Sequence, residues 1–182
     1  MDTLNTQIIG TQRLALRAFT TDDAAFFMEL VNDPEWERFI GKRNLNNLDD
    51  TRAAILKGPM AMFERHGFCL YVVELKSDNT AIGICGLIKR DQLVDIDLGF
   101  AFLDRYRGQG YALEAARATM DYANNTQGLK RIVAITSLDN DSSIALLEKI
   151  GFQFESLMTF NTVTPNTPDT KLFAYKFDER TA

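Results

Sequence analysis

Arg105, Gly108 and Gly110 lie in the stretch Arg-Tyr-Arg-Gly-Gln-Gly-Tyr-Ala at residues 105–112, between a strand-like and a long helix-like segment. Two glycines two residues apart allow backbone turns that other residues avoid, so several N–H groups can point at one spot. The positive end of the following helix is aimed at the same spot. Such a turn can bind a diphosphate-type anion. The simplest alternative is a plain strand-to-helix turn. A second is a dinucleotide-binding turn, Gly-x-Gly-x-x-Gly, but its third place is Leu113, and that fingerprint normally follows a fold's opening strand.

Two further stretches carry side chains able to move protons. The run 140–152, Asn-Asp-Ser-Ser-Ile-Ala-Leu-Leu-Glu-Lys-Ile-Gly-Phe, opens on Asn140, a good helix cap, with Ser143 in the first turn. Asp97 sits in Asp-Leu-Gly-Phe within 94–102, where Ile96, Leu98, Phe100 and Phe102 alternate with Asp95, Asp97, Gly99 and Ala101. Asp97 is a candidate base, or one of two acids on the polar face of a half-exposed strand. Cys69 and Cys85 lie inside apolar runs and read as buried thiols. His66 precedes Gly67 at a helix end and receives no role. With one histidine and no Cys-x-x-Cys, no metal is expected.

The elements that must hold these residues follow from periodicity. Residues 13–18 alternate as a strand. Thr20, Thr21, Asp22 and Asp23 start a helix through Phe26, Phe27, Leu30 and Val31 that stops near Pro34. Residues 35–40 make another helical turn, and 48–65 read as a helix broken or kinked at Gly58-Pro59. Strands at 68–75, 81–89 and 94–102 are joined by short polar turns, an antiparallel meander. A helix at 110–126 and an apolar strand at 131–136 complete a β–α–β unit. A helix over 140–150 and strands at 153–159 and 171–177 close the chain, with a Pro-containing loop at 164–168 between the last two. The expectation is one α/β domain (1–182, core about 11–178), a mixed sheet with helices on both faces.

Taken together, three blocks resemble the GNAT N-acetyltransferases. Arg105, Gly108 and Gly110 fill that family's Arg/Gln-x-x-Gly-x-Gly/Ala loop, and 140–152 is similar to its second cofactor-side signature. The opening Thr-Gln-Arg-Leu-Ala-Leu-Arg at 11–17, Asp22/Asp23 and Asn-Asp-Pro-Glu at 32–35 resemble its RimJ/RimL-like branch. The resemblance spans roughly residues 11–177. It implies a GNAT-like fold with a splayed parallel pair, strands 94–102 and 131–136. It also implies acetyl-CoA as co-substrate, held by Phe100, Ala101 and Phe102, by Arg105, Arg107, Gly108, Gln109, Gly110, Tyr111 and Ala112, and by Asn140 and Ser143. Asp97 takes the place of the family's acidic base, acting directly or through water. Leu147 stands where many relatives carry a tyrosine acid, so Ser143 is the acid or positions a water. Trp36, Phe26 and Phe27 fall in the region that lines the acceptor pocket in relatives, and are read as core.

The acceptor implied is a primary amine, the N-terminal α-amine of a protein or peptide or a small molecule. A non-catalytic acetyl-CoA-binding module and a dinucleotide-dependent enzyme stay open as alternatives. The formal net charge of −5 favours a cationic acceptor, and without a dense Lys/Arg run a nucleic-acid partner is not expected. No signal pattern or membrane-length apolar run occurs, so a cytoplasmic, membrane-free setting is expected. Oligomeric state stays open, a homodimer among the options.

Overall fold

The computed structural model describes residues 7–159 and 169–178. The 164–168 loop therefore lies outside the described residues. Eight strands form one sheet in the order β1-β2-β3-β4-β5-β6-β8-β7. They are β1 (Gln7–Gly10), β2 (Leu14–Arg17), β3 (Leu70–Leu75), β4 (Ala81–Ile88), β5 (Asp97–Phe102), β6 (Arg131–Ser137), β7 (Gln153–Met158) and β8 (Thr170–Lys176). The meander β3-β4-β5 is antiparallel, as expected. β1 precedes the expected start of the core and pairs with β2. At four residues, it is too short to announce itself by alternation.

Among the described strands the one parallel pair is β5 with β6. It is joined at a single register position, Asp97 opposite Val133, where the Val133 amide donates to the Ile96 carbonyl at 3.0 Å. Beyond that point the strands part. β6 stays paired on its other side with β8 from Arg131 to Ser137, and β5 with β4 over its whole length. The divergence is therefore held open from both sides.

Alternation along the strands sends side chains into two layers. Tyr71 and Val73 of β3 and Cys85 and Leu87 of β4 face a core completed by Ala115, Ala116, Met120 and Ala123 of α5 (Tyr111–Asn125) and Leu147 of α6 (Asp141–Lys149). Val72 and Ile84 face the opposite core, closed by Phe27, Leu30 and Val31 of α1 (Ala24–Val31), Trp36 of α2 (Pro34–Phe39) and Ile55 of α3 (Leu48–Ile55). Helices cover both faces, as the sequence requires of a sheet buried on each side.

Two expectations change. Gly58-Pro59 does not break the helical run. Proline lacks the N–H for the regular ladder, and the chain widens into one π turn over Leu56–Met60 before resuming as α4 (Ala61–His66). The strand read over 94–102 begins only at Asp97. The ammonium of Lys89 takes the Leu93 and Val94 carbonyls at 3.0 and 2.8 Å, and Asp95 is drawn to Arg131 at 2.9 Å, so the preceding residues form a turn with Val94 exposed.

A buried charge cluster fixes the N-terminal helices to the sheet. The Arg17 guanidinium donates to both oxygens of Asp23, at 2.8 and 2.9 Å, and to Glu74 of β3 at 2.8 Å. All three residues are buried. Removing one member leaves uncompensated charge, so Arg17→Ala is expected to cost about 3–5 kcal/mol of stability, read as a lower urea midpoint. A loss below about 1 kcal/mol would place the anchoring of α1 elsewhere.

Candidate active site

The glycine loop is built as its sequence demands. Gly108 has φ +71° and Gly110 φ +82°, both left-handed, and Gly110 is the N-cap of α5 with no side chain capping the helix. The first amides of an α-helix have no partner inside it. Here they open toward a cavity lined by Gly108, Gly110, Tyr111, Ala112 and Leu113.

Arg13 sets the orientation of this loop. Its Nη1 donates to the Gln109 carbonyl at 3.1 Å, and its Nε to Glu114 Oε2 at 2.6 Å. The guanidinium also lies 4.4 Å from the centroid of the Tyr111 ring. In a planar trans peptide the carbonyl and the next N–H point in opposite directions. Holding the Gln109 oxygen therefore turns the Gly110 amide the other way. Glu114 is secured in turn by the Thr11 hydroxyl at 2.6 Å and the Arg13 amide at 2.9 Å. Burial opposes its ionisation, but those donors outweigh burial and hold the carboxyl below its usual range.

Arg107 ties the loop to α2. It donates to the Phe102 carbonyl at 2.9 Å and to Asp33, the α2 N-cap, at 2.8 Å, and pairs with Glu35 at 2.8 Å. Burial would raise the Asp33 pKa, yet Arg107 and the Glu35 and Trp36 amides bring it below the ordinary value. Arg105 behaves differently from Arg107. Its guanidinium pairs with Glu29 and lies over Tyr106, and it does not line the cavity. Gln109 is absent from the lining as well, its side-chain amide donating to the Arg105 carbonyl at 3.0 Å.

At the fork of the sheet stands Asp97. It is 1% exposed, so the polar-face alternative for it does not hold. Oδ2 accepts from Arg90 Nε at 2.6 Å, and Oδ1 has no hydrogen-bond donor among the described residues. Burial raises its pKa to about 6, against the pull of Arg90 and, more weakly, of the Ile135 backbone amide, which lies near the carboxylate without meeting hydrogen-bond geometry. Across the cavity, Asn140 caps α6 by accepting from the Ser143 amide at 3.2 Å, and both residues border the same space. Leu147, in the place of the missing tyrosine, is buried core.

The cavity measures about 700 Å³ and connects these parts. The glycine loop, Phe100, Ala101 and Phe102 of β5, Ala134–Thr136 of β6, Asn140, Ser143 and Asp97 all border it. That volume is in the range of small-molecule sites. Trp36 and Phe27, read from the sequence as core, are core and cavity wall at once, whereas Phe26 is not in the wall. Both cysteines are buried, and burial pushes each thiol up to about 12.

Comparison with known proteins decides the family. A family model for the acetyltransferase (GNAT) domain matches residues 13–153. The chain belongs to the GNAT acetyltransferases. It is 27% identical over 171 residues to the uncharacterized N-acetyltransferase YoaA of Bacillus subtilis (strain 168), covering 92% of this chain and 95% of that protein. Among solved structures, a GNAT-family acetyltransferase from Bacillus anthracis matches at TM-score 0.76 and 27% identity, covering 92% and 97% of the two chains. A ribosomal-protein-S5-alanine acetyltransferase from Vibrio fischeri matches at TM-score 0.77 and 20% identity, over 96% and 98%, which shows a shared fold. The mixed α/β architecture is thus the GNAT fold.

Glu114 and Arg90 of this GNAT domain escaped the sequence reading, and Arg13 entered it only within the opening motif. Each acts across a contact distant in sequence or through a turn. The register that pairs Ile88 with Asp97 brings the turn after β4, with Arg90, beside the carboxylate.

Asp97 also sets a pH dependence of stability. Its pKa is about 6 when folded and near 3.8 when unfolded, so between those values the folded state binds more protons and stability falls as pH rises. Above about 6 the full penalty of the buried charge applies. Asp97→Asn removes it, so the variant should gain about 2 kcal/mol on the wild type between pH 4 and pH 8 in paired urea titrations. A difference independent of pH would contradict a carboxylate strained by burial.

Proposed function

We propose that this domain transfers the acetyl group of acetyl-CoA to a primary amine by direct attack in a ternary complex. The observation that carries this reading is the single cavity joining an uncapped glycine-loop helix start to a buried, incompletely hydrogen-bonded carboxylate. The amides of 108–112 suit the diphosphate. The edge of β5 at Phe100, Ala101 and Phe102, freed where β6 departs, suits the amide groups of the pantetheine arm. Arg107 contributes by holding the loop against α2. Arg105 would have to leave Glu29 to reach the ligand.

The amine nitrogen attacks the thioester carbonyl, a C–N bond forms and the C–S bond breaks. Asp97 takes the ammonium proton, directly or through a water. The thiolate receives a proton from Ser143 or from a water that Ser143 positions, and the second proton shed by the nitrogen as the adduct collapses restores that donor. Cys69 and Cys85 do not accept the acyl group, because buried thiols with pKa near 12 supply almost no thiolate at neutral pH. The opening motif at 11–17 and the Vibrio fischeri neighbour favour the RimJ/RimL-like branch, with an N-terminal α-amine or a small amine as acceptor.

Acetyl-CoA at one hundred times its Kd should stabilise the protein by about 2.7 kcal/mol, with no effect from NAD or NADP. Stabilisation by the dinucleotides alone would replace this reading. In a thiol-release assay, Asp97→Asn and Ser143→Ala should each lower kcat by about ten- to ten-thousand-fold. The wild-type kcat/KM should fall as pH drops through about 6, as Asp97 takes up a proton, and Asp97→Asn should lack that limb. If both variants keep full activity, these acid and base assignments fail. Arg13→Ala should raise the KM for acetyl-CoA about tenfold or more by releasing the Gln109–Gly110 peptide. An unchanged KM would show that the loop keeps its shape unaided.

A further inference from the structure

The cavity extends past Asp97 under the N-terminal helices, where Trp36, Phe39, Ile40, Arg43, Pro59 and Met62 form the wall. This is the side from which an acceptor would meet the thioester under the acyl-transfer reading, on which the inference rests. The charges of the wall do not balance. Arg90 is held by Asp97 and Glu35 by Arg107. The Arg43 guanidinium lies over the Trp36 indole, 5.7 Å from its ring centroid, with no carboxylate in ion-pair range among the described residues. Arg43 is exposed as a whole and stands at the rim of the cavity. Packing against the wall and then the charge of Arg90 lower its pKa, so it senses a second guanidinium nearby. The Trp36 indole N–H, buried in the same wall, also lacks an acceptor among the described residues.

The spare groups are therefore of two kinds. Asp97 Oδ1 is a spare acceptor, matched by an ammonium. Arg43 and the Trp36 N–H are spare donors, matched by an oxyanion. We propose that the acceptor is an amine bearing an oxyanion, a carboxylate or a phosphate, with its nitrogen at Asp97, its oxyanion at Arg43 and its apolar body between Trp36 and Met62. A polyamine would bring further positive charge to a cavity that Arg43 and Lys149 already line without an ion pair among the described residues. The chain's formal net charge of −5 favours cations at long range, but salt screens that field beyond about 8–10 Å, and the local excess decides inside the cavity.

Matched probes test this in the thiol-release assay. Phenylalanine against phenethylamine isolates a carboxylate, phosphoethanolamine against ethanolamine isolates a phosphate, and spermidine supplies a polycation. At least one oxyanion-bearing probe should exceed its match lacking the oxyanion in kcat/KM by about tenfold or more. Arg43→Gln should bring that ratio close to one through KM, and Arg43→Lys should retain part of it. Whichever pair shows the effect names the oxyanion. Binding of N-acetylphenylalanine against N-acetylphenethylamine, and of the N-acetyl products of the phosphate pair, reads the same contact without turnover. Failure of acyl transfer with every amine therefore leaves this test in force. Equal ratios in both pairs, preference for spermidine, or a preference that survives Arg43→Gln overturns the proposal.

Discussion

The site depends on one backbone constraint: two parallel strands that touch at a single register position and then separate. In an ordinary parallel pair every alternate amide and carbonyl of β5 would be used by β6. Here β5 is committed to β4 and β6 to β8, so neither can close the gap without giving up its other neighbour. An edge within a sheet is thereby left for something other than a strand to pair. An extended ligand with amide groups along its length is chemically suited to that edge, as a peptide suits an exposed strand.

The charged groups around the fork hold it in place from different distances. Asp97 sits at the bridge itself, buried and partly compensated by Arg90. Its charge destabilises the folded state, yet the same burial brings its proton affinity close to neutral pH, where a base is most effective. Stability and the proposed chemistry thus oppose each other at one residue, a conflict expected at functional sites. Farther out, Arg13, just before β2, braces the glycine loop together with Glu114 of α5, and Arg107 ties it to the N-cap of α2. The loop is bound to the sheet edge and to a helix, so a flexible, glycine-bearing segment keeps one shape.

Much of this was legible in the sequence because it was local. The capping pattern at Asn140, the glycines at 108 and 110, the apolar run at 131–136 and the polar turns of the meander each act through neighbours in the chain. Where the outcome was set by distant residues, the sequence misled or was silent. Alternation extended β5 back to residue 94, because it cannot register that Lys89 and Arg131 hold those residues in a turn. The same alternation left Asp97 open to a half-exposed reading, although the layer above it is supplied by helices sixty residues earlier. Arg13 entered only as part of the opening motif, and Arg43 carried no signal at all. Their partners, a carbonyl of the glycine loop and an indole ring, emerge only once the chain is folded.

Amide hydrogen exchange with and without acetyl-CoA reads the backbone groups left open at the fork and the glycine loop. The thioester should slow exchange at residues 98–102 and 108–112 and leave the fully paired amides of β3 and β8 unchanged. Protection elsewhere with these two segments unaltered would contradict a thioester bound there.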